Sequence, residues 1–144
     1  MSTHSYNKIW IHFIWETLDK QKTLSKEARI EISDFLYKYS KEKNIYMKIN
    51  YVNADHVHAL IDFSTNLSVE DCIKLLKGSS SHYVNKNRLI TTKFSWGRGY
   101  GAFSVSASQL KNVTAYIRNQ EEHHRTKSFA GEYKMFIEKY EING

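Results

Sequence analysis

The chain has 144 residues, enough for one domain with its own core, and its 41% hydrophobic and 25% charged side chains are an ordinary globular balance. It holds no apolar run of the roughly eighteen residues a membrane-spanning helix needs, its start lacks the basic and apolar regions of a secretory signal, and its single cysteine, Cys72, excludes an internal disulfide and fits a reducing cytoplasm. A formal net charge of +6 and a pI near 9.3 favour a polyanionic partner.

Residues 5–16 alternate around Ile9, Ile11, Phe13 and Trp15, with Lys8, Trp10, His12 and Ile14 opposite. Apolar side chains on both faces predict a long, covered, central strand. After a polar connection over 17–24, Ser25 caps a helix running to about Lys43, with Ala28, Ile32, Phe35, Leu36 and Tyr39 inward. Ile45, Met47, Ile49 and Tyr51 alternate with Tyr46, Lys48 and Asn50 in a second strand. Asn53, Ala54 and Asp55 then turn the chain into a third, so that the two form an antiparallel hairpin. Ser68 begins a further helix that buries Val69, Cys72, Ile73 and Leu76. Gly78 and Ser79, Ser80 and Ser81 weaken its middle, which predicts a kink or a close approach to another backbone. Cys72 falls on the apolar face and reads as buried filler. Residues 85–101 are polar, basic and rich in glycine; 102–105 form a short strand; 131–141 form a last short helix carrying Tyr133, Phe136, Ile137 and Tyr140.

Two stretches carry chemistry. In 55–63, Val57, Ala59, Ile61 and Phe63 alternate with His56, His58, Leu60 and Asp62, so both imidazoles leave one strand face about 6–7 Å apart. Such a pair can chelate a metal, or receive a phosphate when protonated; two half-exposed polar positions are the plainer reading. In 108–124, Leu110, Val113 and Ile117 recur at helical spacing, with Ser106 or Ser108 as N-cap. Tyr116 and Gln120 then share a face one turn apart. The phenol is a candidate covalent nucleophile and the amide a candidate oxygen ligand, or both merely border an apolar stripe.

The combination of His-hydrophobic-His on a strand and Tyr-x-x-x-Gln on a late helix resembles the HUH-type single-tyrosine transposases of small bacterial insertion sequences. REP-associated tyrosine transposases are the nearest alternative within that group. The likeness continues through Leu75 to Ser81, Phe94 to Ser106 and Asn119 to His124, nearly the whole chain in order. The order of elements is that of an α+β, ferredoxin-like β-α-β-β-α-β antiparallel sheet with an added C-terminal tyrosine-bearing helix, one domain over 1–144.

The resemblance implies a DNA transposase that cuts and rejoins single-stranded DNA at hairpin-bearing element ends through a 5′-phosphotyrosine. Tyr116 would be the nucleophile, and His56, His58 and Gln120 would hold Mg²⁺ or Mn²⁺. It also implies a homodimer whose tyrosine helix can complete the partner's site, and a cytoplasmic place at the nucleoid. Arg98, Lys111, Arg118 and Arg125 are candidate DNA contacts, with Lys127 nearby, whereas His123 and His124 read as surface residues.

Rival readings are distinguishable. A histidine-triad hydrolase would want a third histidine where Leu60 stands. A domesticated or non-catalytic hairpin-binding protein would bind DNA without a covalent adduct, and a purely structural protein would have no salt-dependent DNA affinity.

Overall fold

A computed structural model describes residues 6–121 and 129–140. Arg125, His123, His124 and Lys127 lie outside the described residues. The elements are β1 (Trp10–Glu16), α1 (Lys26–Glu42), β2 (Tyr46–Val52), β3 (His56–Asp62), α2 (Val69–Lys86), β4 (Gly101–Val105), α3 (Leu110–Arg118) and α4 (Phe129–Lys139). Short 3₁₀ turns occur at Leu18–Lys20 and Ala107–Gln109. The sheet order is β2-β3-β1-β4 and every pairing is antiparallel. This is the expected α+β ferredoxin-like arrangement, with β1 and β3 as the central pair.

Each face of the sheet is covered. Ile11, Phe13 and Trp15 of β1 and Val57, Ala59 and Ile61 of β3 pack with Ala28, Ile32 and Leu36 of α1 and Cys72, Ile73 and Leu76 of α2. On the opposite face Leu60, Val105 and Ile117 pack together, with Leu110, Val113 and Tyr116 of α3 against them. Ile14, Phe103 and Phe136 continue that layer under α4. The two-residue period of β1 and β3 therefore serves two separate cores, and the polar side chains His12, His56 and His58 are buried in the second of them.

The helix starts follow from sequence. Ser25 Oγ accepts from Ala28 N at 3.2 Å and Ser68 Oγ from Asp71 N at 3.0 Å, each satisfying an otherwise unpaired first-turn donor. At α3 the expected serine caps fail. Ser106 and Ser108 bond to each other at 3.1 Å, and Gln109 precedes the helix without a side-chain cap.

Three further expectations are corrected. β1 begins at Trp10, not at residue 5. β2 does not keep one alternation, because a bulge between Met47 and Ile49 shifts its register. Ile45 and Met47 face α1 and α2, whereas Ile49 and Tyr51 reach the α3 side. Asn50 is turned inward, where its amide bonds the Ser33 hydroxyl and carbonyl at 2.7 and 3.2 Å. Finally, α2 runs through Gly78, where an added Cβ would meet nothing within 4 Å, so no backbone approaches there. The serines are accommodated by bonds to their own helix. Ser80 Oγ donates to Leu76 O at 2.6 Å and accepts from Trp96 Nε1 at 2.9 Å. The glycine that matters is Gly101, where a Cβ would come within 2.8 Å of the Phe103 ring.

Candidate active site

β3 is hydrogen-bonded on both edges, and its His56 and His58 are fully buried on the α3 and α4 side. Each imidazole is oriented through its Nδ1. Asp55 Oδ1 lies 2.7 Å from His56 Nδ1. His12 Nε2, from the neighbouring strand β1, lies 2.8 Å from His58 Nδ1, with the two rings stacked at 5.0 Å between centroids. Carboxylates and imidazoles behind a histidine in this way fix its tautomer and ring plane. Burial, and then the neighbouring His58, hold His12 well below its ordinary pKa, so it stays a neutral partner. For His56, burial works against the charge, but the Asp55 and Glu132 carboxylates outweigh it and raise the pKa.

Both Nε2 atoms turn toward Glu132, a buried residue in the first turn of α4. Glu132 Oε1 is 3.0 Å from His58 Nε2 and 3.3 Å from His56 Nε2. Its other oxygen, Oε2, accepts the Tyr116 hydroxyl and, at 3.3 Å, the Gln120 amide. α3 ends at Arg118, and Gln120 follows the cap residue Asn119 rather than continuing the same helix. It still lies against Tyr116, donating from Nε2 to the Tyr116 carbonyl at 3.3 Å. Its Oε1 accepts from Asn53 Nδ2 at 3.3 Å, and the same Nδ2 lies 3.1 Å from His56 Nε2.

The four residues singled out from sequence, His56, His58, Tyr116 and Gln120, are therefore brought together within one chain. Burial first, then the bond to Glu132 and its charge, raise the Tyr116 phenol well above its ordinary pKa; the Gln120 contact works the other way. Arg98, Lys111 and Arg118 do not join this cluster. They are exposed, in the loop before β4 and in the first and last turns of α3.

Sequence reasoning missed Glu132, His12, Asn53 and Asp55 as site residues. His12 carried a weak signal, being a histidine between Trp10 and Ile14 on one face of the strand. Its place beside His58 depends on the pairing of Ile14 with His58, a register that β1 alone does not disclose. Glu132 carried no local signal at all.

The donor set fits a divalent cation. Ligand atoms of His56, His58 and Glu132 lie within 4.8 Å of one another, and the Gln120 amide joins them through Glu132. Two imidazole nitrogens with a carboxylate oxygen are donor types that Mn²⁺ accepts readily and Mg²⁺ less so; Gln120 turns its Nε2 to Glu132 and its Oε1 to Asn53.

A covered antiparallel sheet presenting paired imidazoles to a helix-borne phenol sets this chain among α+β proteins with a buried, metal-compatible tyrosine site. Residues 5–120 match the family described as "Transposase IS200 like", and the chain belongs to that family. It is 24% identical over 114 residues to the ISDra2 transposase TnpA of Deinococcus radiodurans, a match covering 76% of this chain and 81% of that one. Its fold resembles the crystal structure of a transposase from Deinococcus radiodurans R1, at a TM-score of 0.67 and 22% identity over 83% of this chain and 96% of the other. It also resembles a REP-associated tyrosine transposase bound to a REP hairpin, at a TM-score of 0.62 and 11% identity over 86% and 74% of the two chains. Among the described residues no helix is long and apolar enough to cross a membrane.

Proposed function

We propose that this transposase cuts and rejoins single-stranded DNA at hairpin-bearing element ends, with Tyr116 as nucleophile. The observation that carries the reading is the shared carboxylate: Glu132 takes the Tyr116 hydroxyl on one oxygen and faces His56 and His58 with the other. His56, His58 and Gln120, joined by Glu132, would hold Mg²⁺ or Mn²⁺. A cation held there would supply positive charge to the scissile phosphate and to the phenolate.

The chain's own groups do the rest. Tyr116 Oη attacks phosphorus, the bond to the 3′ oxygen breaks, and a 5′-phosphotyrosine and a free 3′-hydroxyl result. Glu132 Oε2 is the acceptor already bonded to the phenol proton. Asp55 and His12 keep the two imidazoles aimed. Because the ester conserves the energy of the phosphodiester, a second 3′-hydroxyl can displace the tyrosine and rejoin the strand. The second reading is a hairpin-binding protein that keeps this site without catalysis. The working unit is a homodimer, with Arg98, Lys111 and Arg118 as phosphate contacts.

Labelled single-stranded hairpin oligonucleotides incubated with Mn²⁺ and run on a denaturing gel test this directly. Wild type should give a covalent protein–DNA band and Tyr116→Phe none, with binding retained. Equal binding and no band from either protein would leave the non-catalytic reading standing.

A further inference from the structure

Beside the imidazoles a cavity of about 480 Å³ opens between the C-terminal end of β1, the loop before β4, and α4. That volume lies within the roughly 300–1,000 Å³ typical of small-molecule sites. It adjoins the candidate active site at two points. Glu16 is paired across the sheet with His56, and Tyr133 follows Glu132 in the chain. The wall is built of three kinds of group. Ile14, Tyr100 and Tyr133 give apolar and aromatic surface; Lys20 and Lys134 are exposed cations at the rim; Glu16 is an acidic acceptor. The loop side is held in place, because Lys77 Nζ donates to the carbonyls of Gly97, Arg98 and Gly99 at 2.6, 3.2 and 3.2 Å.

We propose that this cavity receives one unstacked nucleobase of the DNA strand, next to the phosphate that Tyr116 attacks. The inference rests on the function proposed above and adds a base-reading position to it. Tyrosine rings offer stacking that any base can use. Lysines at the mouth suit the phosphates on either side. A carboxylate can only accept, so Glu16 favours a base with an exocyclic amino group over thymine, whose one edge N–H lies between two carbonyl oxygens that repel the carboxylate's charge.

The test combines a filled cavity with an emptied base. Ala130 is exposed and lines the same space, so Ala130→Trp fills it from the helix surface, with circular dichroism as the check on folding. Hairpin oligonucleotides carrying one abasic position, moved stepwise along the strand, are titrated against wild type and Ala130→Trp by fluorescence anisotropy, and adducts are read on gels. One abasic position should cost wild type about tenfold in affinity, the order expected for one lost stack. Ala130→Trp should cost about the same on the intact strand, and the two losses should not multiply. Losses that multiply, or an Ala130→Trp that binds the intact strand as wild type does, would overturn the proposal.

Glu16→Gln provides a second measure. It should reduce the preference against thymine at the sensitive position about fivefold while leaving affinity for the rest of the strand intact; an unchanged preference removes Glu16 from base reading. If the abasic pattern holds but wild type forms no adduct, the catalytic reading fails and the base site stands. No DNA affinity in wild type would sink both.

Discussion

Replacing Tyr116 by phenylalanine removes one hydroxyl and nothing else from a site where that hydroxyl bonds a buried carboxylate. Hydrogen bonds to charged groups contribute about 1.5–3 kcal/mol. Glu132 Oε2 keeps the Gln120 amide at 3.3 Å, and Oε1 keeps the imidazoles, so the carboxylate is not stripped of partners. The loss should therefore stay within that range. For a chain of this size about 1 kcal/mol shifts the melting temperature by roughly 2–4 °C, so Tyr116→Phe should melt about 3–12 °C below wild type in EDTA. Calorimetry or far-ultraviolet circular dichroism reads this without DNA or metal. A melting temperature within about 1 °C of wild type would refute the interlock between phenol and carboxylate, whatever happens to cleavage.

Other expectations are equally direct. Mn²⁺ at a hundredfold excess over its dissociation constant should stabilise wild type by about 2.7 kcal/mol, seen as a higher melting temperature, and His56→Ala or His58→Ala should abolish the shift. Ser80→Ala should cost about 1–3 kcal/mol by leaving the buried Trp96 indole without its acceptor; denaturant unfolding should show the lower midpoint with an unchanged slope. Burial pushes the Cys72 thiol up to about 11. A raised thiol pKa favours the neutral, unreactive form, so a disulfide reagent at pH 8 should label Cys72 only after denaturant is added.

How far the sequence could be read depended on how local each determinant is. The period of β3 placed His56 and His58 on one face, and the spacing of Leu110, Val113 and Ile117 placed Tyr116 on a covered helix, because one element's own geometry decides each. The same reasoning failed at β2, where the bulge after Met47 reverses the faces of Ile49 and Tyr51. It failed again at α3, where Asn119 interrupts the helix that was expected to carry Gln120 directly. Glu132 was illegible for a different reason. Its role comes from the docking of α4 onto the sheet, and a carboxylate bound for a buried site looks in sequence like any helix-surface glutamate.

That docking has a mechanical consequence. The imidazoles rest on a floor of paired strands that only global unfolding can disturb. The roof is shared between α3, which brings Tyr116, and α4, whose described buried side chains are Glu132 and Phe136 alone. Any shift of α4 would therefore carry Glu132 and one wall of the cavity with it while leaving the histidines in place.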